Sequence, residues 1–134
     1  MIKVYLGGPI GTMSVAEANA WRTKAANQLE LGGIETINPL RGECDSKRPN
    51  YNCNEIVMRD KLDIRSCDVV LVYWPERTVS NGTAMEIMYA WENDKYLVFV
   101  GEWAEKDYWI KYHATKVFSD LESAVEHIKE RMMV

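Results

Sequence analysis

Residues Asp68-Val69-Val70-Leu71-Val72-Tyr73-Trp74 form an unbroken apolar run behind one acidic residue. The run is too short to cross a bilayer, which takes about 20 residues. It also lacks the alternation of a strand with one wet face. A run of this kind reads as a central strand of a parallel sheet, covered on both faces. The sequence around it supports that reading. Ile2 to Leu6 is β-rich and ends at Gly7-Gly8-Pro9. Ser14-Val15-Ala16-Glu17 has the form of a capping box. The stretch behind it reads as a helix through Leu31, with Ala18, Trp21, Ala25 and Leu29 as its apolar stripe and Gly32-Gly33 as its stop. Ile34 to Ile37 is a short strand. Residues 41–51 form one long polar loop, and 52–66 a helix with Ile56, Leu62 and Ile64 as its apolar residues. Gly82 to Asn93 reads as a helix with Ala84, Ile87, Met88 and Trp91 on one face. Tyr96 to Val100 and Val117-Phe118 are strands, and a capped helix begins after Ser119-Asp120.

Strands separated by helices imply a mostly parallel sheet with helices on both faces. Five strands fit a single flavodoxin-like domain over residues 1–134, with strand order 2-1-3-4-5. In such a sheet the ligand lies beyond the carboxyl ends of the strands, where the order reverses. The order places Gly7-Gly8-Pro9-Ile10-Gly11 beside the loop from Trp74 to Gly82.

Composition narrows the function. With 16 Lys and Arg against 20 Asp and Glu, the formal charge is -4, which argues against a nucleic-acid polymer as partner. No run is long enough for a membrane span, and the apolar N-terminus is shorter than a signal-peptide core. Cys44, Cys53 and Cys67 are an odd set without a CxxC pair, and His113 and His127 have no metal-ligand spacing. The expectation is a reducing cytoplasm, with no metal and no cofactor. No cysteine sits in a turn that would expose it as a nucleophile.

Two loops and one helix carry the candidate chemistry. The first loop is neither GxGxxG nor a Walker motif. Its glycines serve either a tight strand-to-helix turn or close approach of a ligand to the backbone. Ser80-Asn81-Gly82 opens a helix whose free N–H groups suit an anion or a hydroxyl. Glu86, within the first turn or so, is either an acid complementing the helix dipole or a catalytic carboxylate. Periodicity turns it away from the stripe of Ala84, Ile87, Met88 and Trp91. Asp60 and Asp63 lie one turn apart. They are either a solvated face partnered by Arg59, Lys61 and Arg65, or a pair in which one carboxyl acts as general acid.

Three segments together resemble the nucleoside 2-deoxyribosyltransferase family: Tyr5-Leu6-Gly7-Gly8-Pro9-Ile10, then Arg59-Asp60-x-x-Asp63-Ile64-x-x-x-Asp68, then Ser80-x-Gly82-Thr83-x-x-Glu86-Ile87. The resemblance covers nearly the whole chain and implies the flavodoxin-like fold. It also implies cleavage of the N-glycosidic bond of a 2'-deoxynucleoside, with transfer of the sugar to another nucleobase or to water. By resemblance Glu86 is the nucleophile on the anomeric carbon, as in retaining glycosidases. Tyr5 would orient its carboxylate, and Asp60 would protonate or hydrogen-bond the departing base. Gly7, Gly8, Pro9, Ile10 and Trp74 would line the substrate, and Ser80 and Gly82 would hold the sugar's 5' end. The partners implied are a nucleoside or nucleotide, a nucleobase, and further copies of the chain in a homodimer or higher homo-oligomer.

Two departures stand out. The family's best-known transferases are acidic where Ser80 stands. A serine resembles the related deoxynucleoside 5'-monophosphate N-glycosidases, yet those carry an Arg where Gly11 follows Ile10. The family also completes its site with C-terminal residues of a neighbouring subunit, for which Trp103, Trp109 and His113 are the candidates. Cleavage of NAD at nicotinamide and a non-catalytic nucleotide-binding module are the other readings.

Overall fold

The computed structural model describes residues 1–11, 14–42 and 52–132. Most of the long loop expected at 41–51, including Cys44, lies outside these residues. The elements are β1 (Lys3–Gly7), α1 (Val15–Leu31), β2 (Glu35–Ile37), α2 (Cys53–Ser66), β3 (Val69–Tyr73), α3 (Asn81–Glu92), β4 (Tyr96–Val100), a 3-10 turn (Glu102–Lys106), α4 (Tyr108–His113), β5 (Lys116–Phe118) and α5 (Leu121–Met132). The strands form one sheet in the order β2-β1-β3-β4-β5. Every pairing is parallel. This is the flavodoxin-like order expected from the sequence. No described helix is long and apolar enough to cross a membrane.

The apolar run behaves as its composition dictates. Val69, Val70, Leu71 and Val72 are each 0% exposed, in the middle of the sheet. Strand alternation sends side chains to two separate cores. Val4, Leu6, Val69, Leu71, Val98 and Val100 meet Ala25 and Leu29 of α1 and Ala124, Val125 and Ile128 of α5. Tyr5, Val70, Val72, Leu97 and Phe99 meet Ile64 of α2, Ile87 and Ala90 of α3, and Ile110 of α4.

The helix ends follow local chemistry. Ser14 Oγ accepts from the Glu17 backbone N–H at 3.1 Å, as the capping box requires. Asn52 caps α2 by accepting from the Glu55 N–H at 3.2 Å. Gly33 follows α1 at φ +81. Two other glycines join strand ends. A β-carbon on Gly8 would stand 2.5 Å from the Tyr73 carbonyl oxygen, and one on Gly101 would stand 2.3 Å from that of Trp74. Only glycine permits either approach.

Three helix faces differ from expectation. In α1 the buried stripe is Val15, Ala18, Arg22, Ala25 and Leu29. Trp21 stands half-buried beside it, its ring 5.1 Å from that of Tyr73. In α2 only Ile64 is buried, and Leu62 is exposed. In α3 the buried residues are Thr83, Ile87 and Ala90. Ala84, Met88 and Trp91 form a second apolar row that borders α4, where Trp91 meets Tyr112 and His113. The buried stripe is therefore displaced from the expected one, and Glu86, half-buried, stands at its edge toward α2.

Candidate active site

The chain turns from β1 to α1 and from β3 to α3 at the same edge of the sheet. β1 and β3 are neighbours, and their outward connections run to opposite sides, so a crevice opens between the two loops. A cavity of about 630 Å³ lies there. One wall is the first loop, Gly8, Pro9, Ile10 and Gly11. The second is the start and one flank of α3: Ser80, Gly82, Met85, Glu86 and Tyr89. The third is α2: Val57, Asp60, Lys61 and Ile64.

Glu86 and Tyr5 meet at its base. The Tyr5 hydroxyl donates to Glu86 Oε2 at 2.6 Å, from a side chain that is wholly buried. The strand register explains the space. Tyr5 and Gly7 point to the same face, and Gly7 has no side chain to fill its position. A β-carbon there would lie 3.7 Å from Glu86 Oε1 and 3.5 Å from the Tyr5 ring. The carboxylate thus lies over a glycine and beside a phenol.

Burial pushes the Glu86 carboxyl up to about 7. The Tyr5 hydrogen bond and the positive charge of Arg22 oppose the rise, and the negative charge of Asp60 adds to it. Burial also pushes the Tyr5 phenol far up, with Glu86 and Asp60 adding to the effect, so Tyr5 remains a donor throughout the ordinary pH range. The pair presents a desolvated carboxylate held by a permanently protonated hydroxyl. Such a carboxylate can act as a nucleophile or as a base near neutrality.

The two acids of α2 have different surroundings. Asp63 accepts from both terminal nitrogens of Arg41, at 2.8 and 3.0 Å. It is thereby engaged in a bidentate ion pair, with a partner other than Arg59, Lys61 or Arg65. Asp60 lines the cavity and acts electrostatically on both Tyr5 and Glu86. Lys61 lines the same wall, its ammonium 5.2 Å from the Tyr89 ring centroid.

Of the residues singled out in the sequence, Gly8, Pro9, Ile10, Asp60, Ser80, Gly82 and Glu86 line the cavity. Tyr5 and Gly7 lie beneath Glu86. Trp74 does not reach it. Its ring packs against Phe99 and Trp103, and its indole N–H donates to Thr78 Oγ1 at 3.1 Å. Ser80 makes no side-chain bond to the N–H groups of α3; its hydroxyl is 2.6 Å from that of Thr83. Trp109 and His113 border a smaller apolar hollow with Ala84, Ile87, Met88 and Ile110, on the far side of α3. Trp103 packs on Trp74. Cys67 is buried, and burial pushes its thiol up to about 11, so it is an inert core residue.

The sequence reading missed Lys61, Tyr89, Met85 and Val57 as walls, and Arg22 altogether. The last had a signal: an arginine in step with Val15, Ala18, Ala25 and Leu29 on an otherwise apolar stripe. Among the described residues, no three His, Cys, Asp or Glu side chains are grouped to hold a metal.

Residues 1–103 match the family described as nucleoside 2-deoxyribosyltransferase like, and the chain belongs to that family. Its fold is similar to that of a conserved protein from Enterococcus faecalis V583, at TM-score 0.74 and 19% identity over 98% of this chain and 99% of that one. It is also similar to a 2-desoxiribosyltransferase from Leishmania mexicana, at TM-score 0.72 and 17% identity over 98% and 99% of the two chains. The Clostridium botulinum CMP N-glycosidase BcmB aligns at TM-score 0.66 and 16% identity over 96% of this chain and 98% of that one. No curated protein sequence matches the chain.

Proposed function

We propose that the chain cleaves the N-glycosidic bond of 2'-deoxynucleosides through a deoxyribosyl-Glu86 intermediate and passes the sugar to a second nucleobase or to water. The observation that carries this reading is the 2.6 Å hydrogen bond from Tyr5 to Glu86 at the base of a cavity that Asp60 also lines. In the first step a Glu86 carboxylate oxygen forms a bond to the anomeric carbon. The bond from that carbon to the base nitrogen breaks, and its electron pair leaves with the base. Asp60 supplies a proton or a hydrogen bond to the base as it departs. In the second step an incoming base nitrogen or a water attacks the same carbon and gives up its proton to the Asp60 carboxylate, and Glu86 leaves as a carboxylate. Two displacements retain configuration. Tyr5 keeps the carboxylate oriented in both.

The reaction requires Glu86 ionised. Because its carboxyl titrates at about 7, kcat/KM falls as pH drops below that value. The apolar walls, Val57, Ile64, Met85 and Tyr89, suit a planar base. Assembly into a homo-oligomer belongs to the same reading.

Ser80 favours a second reading, hydrolysis of the corresponding 5'-monophosphates. A neutral residue at the N-terminus of α3 would not repel a phosphate. Against a strong phosphate preference, the cation lining the cavity among the described residues is Lys61, with no arginine beside it.

The test is product analysis with a panel of deoxynucleosides and their 5'-monophosphates, with and without a free acceptor base. New deoxynucleosides appearing only with the acceptor support transfer. Release of free base from monophosphates alone moves the protein to the hydrolase reading. NAD cleavage without deoxynucleoside turnover overturns both.

A further inference from the structure

The buried face of α1 is apolar except at its centre, where Arg22 is 0% exposed. A guanidinium withdrawn from water needs partners for its N–H donors. The backbone supplies them. Nε donates to the Leu6 carbonyl at 3.0 Å, one terminal nitrogen donates to the Gly8 carbonyl at 3.0 Å, and the other donates to the Ala18 carbonyl within α1. The Trp21 ring completes the setting, its centroid 4.6 Å from the guanidinium carbon. Leu6 and Gly8 flank Gly7, the residue over which the Glu86 carboxylate lies. Arg22 therefore grips, from α1, the same short backbone segment that Glu86 approaches from α3.

We infer that Arg22 is a positioning residue for Glu86: it fixes the peptide segment on either side of Gly7 and sets a permanent positive charge behind the carboxylate. The inference rests on the reading of Glu86 as the reacting group. The charged and titratable groups that face Glu86 are Tyr5 from β1, Asp60 from α2 and Arg22 from α1, with Lys61 and Glu92 farther round the cavity. Burial and Asp60 favour the protonated acid, whereas Tyr5 and Arg22 favour the carboxylate. A lysine in place of Arg22 would keep the charge, but it cannot bond both carbonyls in the geometry of the guanidinium fork.

The experiment uses Arg22→Gln and Arg22→Lys with two readouts. The first is titration of the Glu86 carboxyl carbon by NMR, without substrate. The second is kcat/KM for deoxynucleoside cleavage across pH. In Arg22→Gln the carboxyl midpoint should rise by about one unit, and the acid limb of kcat/KM should move with it. In Arg22→Lys the midpoint should stay near that of the parent while kcat at high pH falls about tenfold, through loss of the fixed backbone. A midpoint in Arg22→Gln equal to the parent's overturns the inference. If Arg22→Gln does not fold, the parent itself provides the test. The nitrogen-15 shift of Arg22 Nε should titrate with the same midpoint as the Glu86 carboxyl and be flat in Glu86→Gln. A flat signal in the parent overturns the inference. A carboxyl midpoint that moves as expected in a protein inert toward every deoxynucleoside leaves the positioning intact and refutes the activity instead.

Discussion

The two faces of the sheet are built from the same strands, by alternate residues, and have become different things. On one, α1 lays five residues of its length into the interface and α5 three. Aliphatic side chains fill its centre, with Trp21, Tyr73, Tyr96 and Phe118 packed around them, and Arg22 is the buried charge. On the other, α2 contributes one buried residue, Ile64, and leaves Val57, Met58 and Leu62 exposed, while α3 seats Thr83, Ile87 and Ala90. The gap between α2 and α3 is the cavity. The strands show the same contrast: Val4 and Leu6 face the closed side, Tyr5 and the empty position of Gly7 the open one. Both faces are packed against the sheet. Only the second opens, at the carboxyl ends of its strands, and Asp60 and Glu86 line that opening with Tyr5 beneath.

The largest effect that would break the contrast lies at Glu86. Glu86→Gln keeps the shape and the Tyr5 hydrogen bond and removes the charge of the proposed nucleophile. Turnover of deoxynucleosides should fall by a factor of roughly 1,000 or more with the fold intact, as steady-state kinetics and circular dichroism would show. Near-parental turnover would mean that the open face does not host the reaction in this form.

The matching change on the closed face is Leu29→Ala. Leu29 is 0% exposed in the core under α1. Its truncation should cost about 2–5 kcal/mol in chemical denaturation. The kcat/KM of the remaining folded protein should stay within about twofold of the parent. A loss of activity out of proportion to the loss of folded protein would show that the faces are coupled through packing beyond the Arg22 contacts.

Glu86→Gln also carries a stability signature. Burial raises the carboxyl from 4.5 to about 7, so the folded protein binds this proton more tightly than the unfolded chain. Stability is then lost as pH rises from the unfolded value through the folded one. Above about pH 7 the Gln variant should exceed the parent by about 3 kcal/mol, and the difference should vanish below about pH 4.5. Denaturation midpoints of both proteins across pH 4–9 measure it. A parent that gains on the variant with rising pH would contradict the burial described for Glu86.

The smallest effect separates the acids of α2. Asp60→Asn should slow cleavage by roughly 10- to 100-fold, most for bases that leave reluctantly. Asp63→Asn should change rate little and act mainly through the bond to Arg41. Leaving-group dependence of kcat for the two variants decides the assignment, and the reverse pattern would exchange their roles.

Much of the closed face was legible in the sequence, because apolar runs and glycine stops fix where strands and helices lie. The sheet order and the convergence of the two loops followed from it. The open face was harder. The α3 helix is apolar on two sides, toward the sheet and toward α4, so the period of Ala84, Met88 and Trp91 marked one of them and placed Glu86 away from it without revealing what Glu86 faces. Asp60 and Asp63 share one helical context, and the residue that separates them, Arg41, lies in another part of the chain. Trp74 continues the apolar strand, but its ring leans toward Phe99 and Trp103, a contact made only once β4 is in place. Arg22 stands in step with the buried stripe, but what holds it there, the carbonyls of Leu6, Gly8 and Ala18, is set by the fold and not by the local sequence.

The close approach of Gly8 to the Tyr73 carbonyl has a consequence for how such a site can change. The loop after β1 cannot acquire a side chain at this point without displacing the end of β3, and with it the strand from which the Ser80 loop departs. The two loops therefore share one tolerance for substitution. Respecifying the cavity for a new ligand has to proceed by paired changes across this contact, or by changes on α2, the loosely seated wall, whose side chains can be exchanged without disturbing either loop.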